Sequence, residues 1–248
     1  MATPDLQRYL AAADDWPGWF HHTDRQLFQL ADSVQQRHGP EGDLLEIGVF
    51  LGKSAALLGL LRHGAQRLVA CDVFDSVPYP DEATVRESRE FFQGLSRSEF
   101  ERRYLSVHTE LPEIIEDLSS TLLDHGLSRT FRFAHVDAGH TYAAVRDDAR
   151  LVRELLVPGG LAVFDDWRTG HVPGVHAAVW GAVHQDGLIP LVLTDAKFYG
   201  TFAPLSPTAV AFRDAVSDAP DLPTELHDIA GHLVVRLTRC AVTDPARA

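Results

Sequence analysis

The sequence predicts an α/β domain with a doubly wound, mostly parallel sheet and helices on both faces, and three observations carry that prediction. Residues Thr130 to Trp167 read as an apolar run, an amphipathic segment and a second apolar run. Residues Asp43 to Leu61 read as an apolar run, a glycine turn and an aliphatic helix. The chain of 248 residues is 45% hydrophobic and 23% charged, which suffices for one core and one domain. Its formal net charge of −13, with no basic patch, argues against a nucleic-acid or anionic-membrane partner and for a small-molecule substrate. Only Cys71 and Cys240 occur, no apolar run reaches the roughly 20 residues of a membrane span, and the N-terminus lacks a signal-peptide pattern. A cytoplasmic protein with reduced thiols is therefore expected.

In chain order, Thr3 and Pro4 start a short helix with Leu6, Tyr9 and Leu10 inward. Trp16 to Phe20 form an aromatic turn. The arm (residues 1–40) roofs a binding site, packs against its own domain or, being attached to a domain with enough elements to close its own core, packs on a second subunit as a homo-oligomer. Thr23 is placed to cap a second helix carrying Leu27, Phe28, Leu30, Ala31 and Val34. The strand Leu44 to Ile47 then runs into a turn with Gly48 and Gly52, and a helix begins near Lys53 and Ser54. Three ligands compete for this turn. A phosphate-binding loop needs a glycine where Ile47 stands, and the dinucleotide fingerprint needs one where Phe50 stands. With Glu46 at the strand end, the turn instead suits a ligand with a cationic end and no pyrophosphate, such as S-adenosylmethionine. The next strand, Leu68 to Cys71, ends in Asp72, placed to accept from both hydroxyls of a ribose; Asp75 and Ser76 either line the same pocket or make a turn.

Residues 77–104 read as one or two amphipathic helices and a candidate lid over the substrate, or an ordinary covering layer. A strand at Leu105 to His108 and a helix from Pro112 to His125 are expected next. The strands Phe131 to Val136 and Leu161 to Phe164 flank a helix with Val145, Ala149, Val152 and Leu156 on one face, and Val157 to Gly160 form the loop before the second strand. A right-handed crossover makes these strands parallel, so Asp137, His140, Asp165 and Asp166 converge at the edge where open sheets bind ligands. Singly, each aspartate reads equally as a helix or turn cap. As a group, adjacent carboxylates need a cation or a proton among them, and hard oxygen ligands suit magnesium or manganese. Beyond Trp167, Gly174 to His184 reads as a helix, and Ile189 to Leu193 and Phe198 to Phe202 as closing strands. His171, His176 and Trp167 stand near the acids as candidate substrate contacts or as solvent-facing positions. The C-terminal extension (residues 203–248) contains a helix at Thr208 to Val216 and a strand-like HLVVRL, which competes with Phe198 to Phe202 for the last place in the sheet.

The segments LLEIGVFLGKS, ACDVF, VDAGHTYAAVRDD and LLVPGGLAVFDDW, in this order and spacing, resemble the class I S-adenosylmethionine-dependent methyltransferases. The likeness spans Thr23 to Phe202 and is nearest to bacterial small-molecule O-methyltransferases of the macrolide-sugar and cephamycin tailoring type, more distantly to the catechol type. It implies a Rossmann-like sheet of seven strands with an antiparallel C-terminal edge. It also implies methyl transfer to a hydroxyl of a secondary metabolite. Glu46, Gly48 and Gly52 match the cofactor turn and Asp72 the ribose ligand, with Lys53, Ser54 and Asp137 completing the expected cofactor set. Asp137, Asp165 and Asp166 match the metal-binding acids of the metal-dependent members, for Mg2+ or Mn2+, and His140 their general base. Ala138 departs from the pattern, which more often has glycine, and SVHTELPEI offers no assigned adenine contact. An NAD(P)-dependent oxidoreductase, another nucleotide-binding enzyme and a metal-independent methyltransferase are the competing expectations.

Overall fold

The structure, a computed structural model, describes residues 3–76, 78, 82–92, 94–204 and 206–238. Cys240, the end of the C-terminal extension and residues 77 and 79–81 of the expected lid lie outside the described residues.

Among the described residues nine strands form one sheet, in the order β3-β2-β1-β4-β5-β7-β6-β9-β8. They are β1 (Asp43–Ile47), β2 (Leu68–Asp72), β3 (Glu113–Glu116), β4 (Phe131–Val136), β5 (Leu156–Phe164), β6 (Ile189–Leu193), β7 (Phe198–Thr201), β8 (Thr224–Ile229) and β9 (His232–Leu237). The first five are mutually parallel, β7 is antiparallel to both β5 and β6, and β9 joins β6 in parallel with β8 folded back on it. The α/β class and mostly parallel sheet are as expected; the count of seven is not, because Thr224–Ile229 and HLVVRL add an edge hairpin. HLVVRL and Phe198–Thr201 do not compete: both belong to the sheet.

Helices cover both faces. One face carries α1 (Pro4–Ala12), α2 (His22–His38), α3 (Lys53–Leu60), α5 (Arg97–Tyr104) and α8 (Pro207–Ser217); the other carries α6 (Tyr142–Leu155) and α7 (Pro173–Gly181). On the first face α2 lies against α8, and the Thr208 hydroxyl donates to the His38 carbonyl at 3.0 Å. The helix α4 (Glu82–Phe91) crosses the carboxyl edge of the sheet instead, with Phe92 just beyond its end against Phe50 and Phe91 beside His171.

Three local expectations are corrected. Leu105 to His108 is a turn ending α5, with Leu105 45% exposed, and the third strand is β3. The expected helix from Pro112 splits into β3 and a 3-10 turn, Ser119–His125. Leu111, Ile115, Leu118 and Leu122 mimic helical spacing, but the open edge of β2 pairs with the backbone of Glu113–Glu116. The cap of α2 is His21, whose N–H donates to Asp24 Oδ2 at 2.9 Å; Thr23 lies inside the helix.

The aromatic arm packs against its own domain, one of the placements expected for it. Phe20 and Tyr9 are buried in the chain's own core, Phe20 against Phe28 at 4.9 Å and Tyr9 against Trp16 at 6.0 Å. Of the turn's aromatic residues only Trp19 is largely exposed, at 56%, and it stacks on Phe50. Tyr9 and Phe20 thus belong to the core of the arm's own domain.

Candidate active site at the carboxyl edge of the sheet

The first half of the site is built from backbone. Gly48 has φ +81°, and a Cβ added there would lie 2.0 Å from the Asp137 carbonyl oxygen, so only glycine lets the end of β1 pass against the end of β4. Gly52, at φ +85°, opens α3 and packs on the Phe100 ring. Between them Phe50 takes φ +46°, a left-handed conformation that costs a non-glycine residue energy and needs an external brace. Asp72 supplies it: Oδ2 accepts from the N–H groups of Val49 (2.7 Å) and Phe50 (3.1 Å), and Oδ1 from Phe74 (2.8 Å). Burial raises the pKa of Asp72, and these amide donors work against that.

Glu46 is fully buried, with Oε1 2.7 Å from His135 Nδ1 and Oε2 without a hydrogen-bond partner. Lys53 sends its ammonium to the Gly18 carbonyl at 3.1 Å, and its own carbonyl accepts from the Tyr9 hydroxyl at 2.6 Å. Lys53 thus ties the N-terminal arm to α3, with Ser54 buried beside it. Asp75 is exposed, and the Ser76 hydroxyl donates to Glu116. Two clefts flank these elements. One of about 390 Å³ is lined by Phe74, Asp75, Ser76 and Phe92; the other, of about 610 Å³, by Trp19, Phe50, Phe91, Glu99 and Arg103.

The second half is built from side-chain charge. Asp137 and Asp165 continue the ladder one residue past β4 and β5, through Asp137 N–H to Ile47 (2.8 Å) and Asp165 N–H to Val136 (2.9 Å). His140 Nε2 lies 3.7 Å from Asp137 Oδ1 and 3.5 Å from Asp166 Oδ2. The expected convergence of Asp137, His140, Asp165 and Asp166 is therefore present. Thr141, not Asp137 or Gly139, caps α6, accepting from Ala144 at 3.3 Å, so Asp137 has no capping duty there. Asp166 does hold a turn, accepting from the Thr169 hydroxyl at 2.5 Å, and takes φ +52°. Burial, then the charge of Asp165, pushes the Asp137 pKa up to about 6. His176 stacks on Trp167 with its Nδ1 3.0 Å from the Trp167 carbonyl.

A buried charge network behind this cluster was not expected from the sequence. Lys197, with no exposed surface, pairs with Asp165 Oδ2 and lies 3.3 Å from His135 Nε2. Although burial and Lys197 pull the His135 pKa down, its hydrogen bonds with Asp165 and Glu46 hold it up at about 9. Burial alone would raise the pKa of Asp165, yet Lys197 and His135 keep it far below the carboxylate range. Asp24, buried below, has its pKa raised by burial against the opposing charge of Lys197.

Among the described residues two groups bring ligand atoms within 4.8 Å of one another: Asp137, His140 and Asp166; and His135, Asp137 and Asp165. The first is partly exposed and fits a divalent ion. In the second, Asp165 already holds an ammonium and His135 favours its protonated form, which offers no lone pair to a metal.

Comparisons with known proteins bear on what this edge does. Residues 45–167, from the first strand through both acidic strand ends, match the family model described as a methyltransferase domain. The chain is similar in fold to the O-methyltransferase NovP, at 20% identity over 82% of this chain and 91% of that one, with a TM-score of 0.59. It is likewise similar to TomG of Streptomyces achromogenes, solved with SAM (19%, 82% and 91%, 0.53), and to CalS11, a calicheamicin methyltransferase (17%, 82% and 94%, 0.53). A comparison with curated proteins finds no match.

Proposed function

We propose that this methyltransferase moves a methyl group from S-adenosylmethionine to a hydroxyl of a small molecule, assisted by a divalent cation and by His140 as general base. The observation that carries the reading is the contact of Gly48 with the backbone of Asp137, which sets the cofactor turn and the acid cluster back to back on one sheet edge. The turn leaves Glu46 Oε2 as an acceptor without a partner, which suits a cationic ligand end. Asp75 borders the smaller cleft, and Asp72 holds the backbone of Phe74 on its wall, where a ribose would be received. The Trp19, Phe50 and Phe91 cleft lies beside the turn, where α4 closes over the acceptor as the lid.

Asp137 and Asp166 would hold the divalent ion, which when bound lowers the cost of removing the acceptor's proton. His140, between the two carboxylates, takes that proton at Nε2, and the carboxylates favour the imidazolium that results. A secondary-metabolite acceptor is proposed because TomG is described as involved in tomaymycin synthesis and CalS11 as a calicheamicin methyltransferase. A cytoplasmic location and a homo-oligomer remain part of the proposal. The pairing of Lys197 with Asp165 favours metal-free transfer as the second reading, because it already places one cation in the cluster.

Calorimetry with S-adenosylmethionine, NAD(P) and ATP, followed by mass spectrometry of reactions with catechols and deoxysugars, tests the proposal. Tightest binding is expected for S-adenosylmethionine, with chelation abolishing turnover and Mg2+ restoring it. Tighter binding of NAD(P) or ATP overturns the cofactor, and full turnover in excess chelator overturns the metal.

A further inference from the structure

Lys197 occupies a position that surface lysines do not. It has no exposed surface, its Nζ pairs with Asp165 Oδ2, and the Phe20 ring centroid lies 5.5 Å away. Its backbone is fixed at both polar atoms: the N–H donates to Thr194 Oγ1 at 2.7 Å, and the carbonyl accepts from the Thr194 N–H at 2.9 Å. Thr194 is held in turn by Trp167, whose indole N–H donates to the Thr194 carbonyl at 3.0 Å. The ammonium therefore has no route to solvent without dismantling the turn between β6 and β7.

The other oxygen of Asp165 is also engaged, because Oδ1 accepts the Asp166 N–H at 2.8 Å. That bond braces the left-handed backbone of Asp166 (φ +52°), whose Oδ2 faces His140. The side chain of Asp165 is 7% exposed, against 33% for Asp137 and 31% for Asp166. An ion approaching from solvent meets the latter two first. To reach Asp165 it would have to displace a buried ammonium, leaving that charge uncompensated.

We propose that Lys197 is the permanent counter-ion of Asp165: it withholds that carboxylate from any divalent ion and, through Asp165, positions Asp166 beside His140. Lys197 is on this account a positioning residue, and the cation edge consists of Asp137 and Asp166. For the divalent ion itself this rests on the methyl-transfer reading above.

Two measurements on the full chain test it. The first is a thermal-melting cycle on metal-free protein with Asp165→Asn, Lys197→Met and the double variant. Each single variant strands a buried charge and should melt at least about 5 °C lower, whereas the double variant should recover most of the loss. If Lys197→Met does not fold, Asp165→Asn and the double variant still give the comparison: a double variant no more stable than Asp165→Asn overturns the pair.

The second measurement is Mn2+ affinity by electron paramagnetic resonance. Asp166→Asn should weaken binding at least ten-fold, and Asp165→Asn and the double variant less than three-fold. Equal losses in Asp165→Asn and Asp166→Asn would make Asp165 a ligand and overturn the proposal. No Mn2+ binding by the unaltered chain would end the divalent-cation reading of the site, while agreeing with Asp165 belonging to Lys197.

Discussion

The two halves of the sheet edge are made of different materials. At the end of β1 the shape is held by glycine dihedrals and by amides donating to one carboxylate, Asp72; at the ends of β4 and β5 it is held by charged side chains drawn from distant parts of the chain. The first kind of site is rigid because few other backbones fit. The second is rigid because any broken pair strands a buried charge. On the proposed function one end would hold a cofactor and the other perform proton chemistry, and the division suits both, since reacting groups need tunable charge and a cofactor turn does not.

The comparison is tested most severely by the acidic half. Replacing His140 with Ala should lower kcat by roughly 10² to 10⁴ while leaving cofactor affinity and melting nearly unchanged; a variant that keeps its rate would move the chemistry elsewhere. On the backbone half, Gly48→Ala combines a left-handed dihedral with a Cβ 2.0 Å from the Asp137 carbonyl, and should cost about 3 kcal/mol or more by urea unfolding. A loss below about 1 kcal/mol would show that the two strand ends separate easily.

The third prediction concerns pH. The folded His135 pKa of about 9 exceeds its ordinary 6.5, so its contribution is complete below pH 6.5 and is lost as pH rises through 9. Stability should fall over that window by on the order of 3 kcal/mol, and His135→Gln should flatten the slope. An unchanged slope in the variant would assign the titration to another group.

The smallest effect separates two uses of Asp72. Because it braces three backbone amides, Asp72→Asn should lower the stability of the cofactor-free protein by about 1 to 2 kcal/mol. A residue serving only the ribose would change affinity and leave the cofactor-free protein untouched.

The same division explains what could be read from the chain. Gly48, Gly52 and Asp72, and Asp137 through Asp166, announce themselves because glycines and acids at the ends of apolar runs are local signals. Asp24, His135 and Lys197 gave none, since their partners lie far along the chain: Lys197 is 32 residues from Asp165 and 62 from His135. One usable clue existed. His135 lies between Ala134 and Val136 in a strand that reads as wholly buried, and a titratable group in such a place requires a partner. The β3 error had the opposite cause, a helical spacing in Leu111 to Leu122 overridden by the pairing needs of β2. Packing of the arm on its own domain could not be singled out, because the apolar area that Tyr9 and Phe20 cover cannot be seen from their sequence neighbourhood.

The packing of α2 on α8 has a consequence for how the chain is made. Thr208 and His38 are 170 residues apart, and at about 5 to 20 residues per second the ribosome needs roughly ten to thirty seconds to supply the second after the first. Throughout that interval part of the apolar stripe of α2, with Leu27, Phe28, Ala31 and Val34, has no cover on its α8 side. The nascent chain thus presents a sticky helix for most of its synthesis, and its yield in a cell should depend on chaperones that shield such surfaces more than its final stability would suggest.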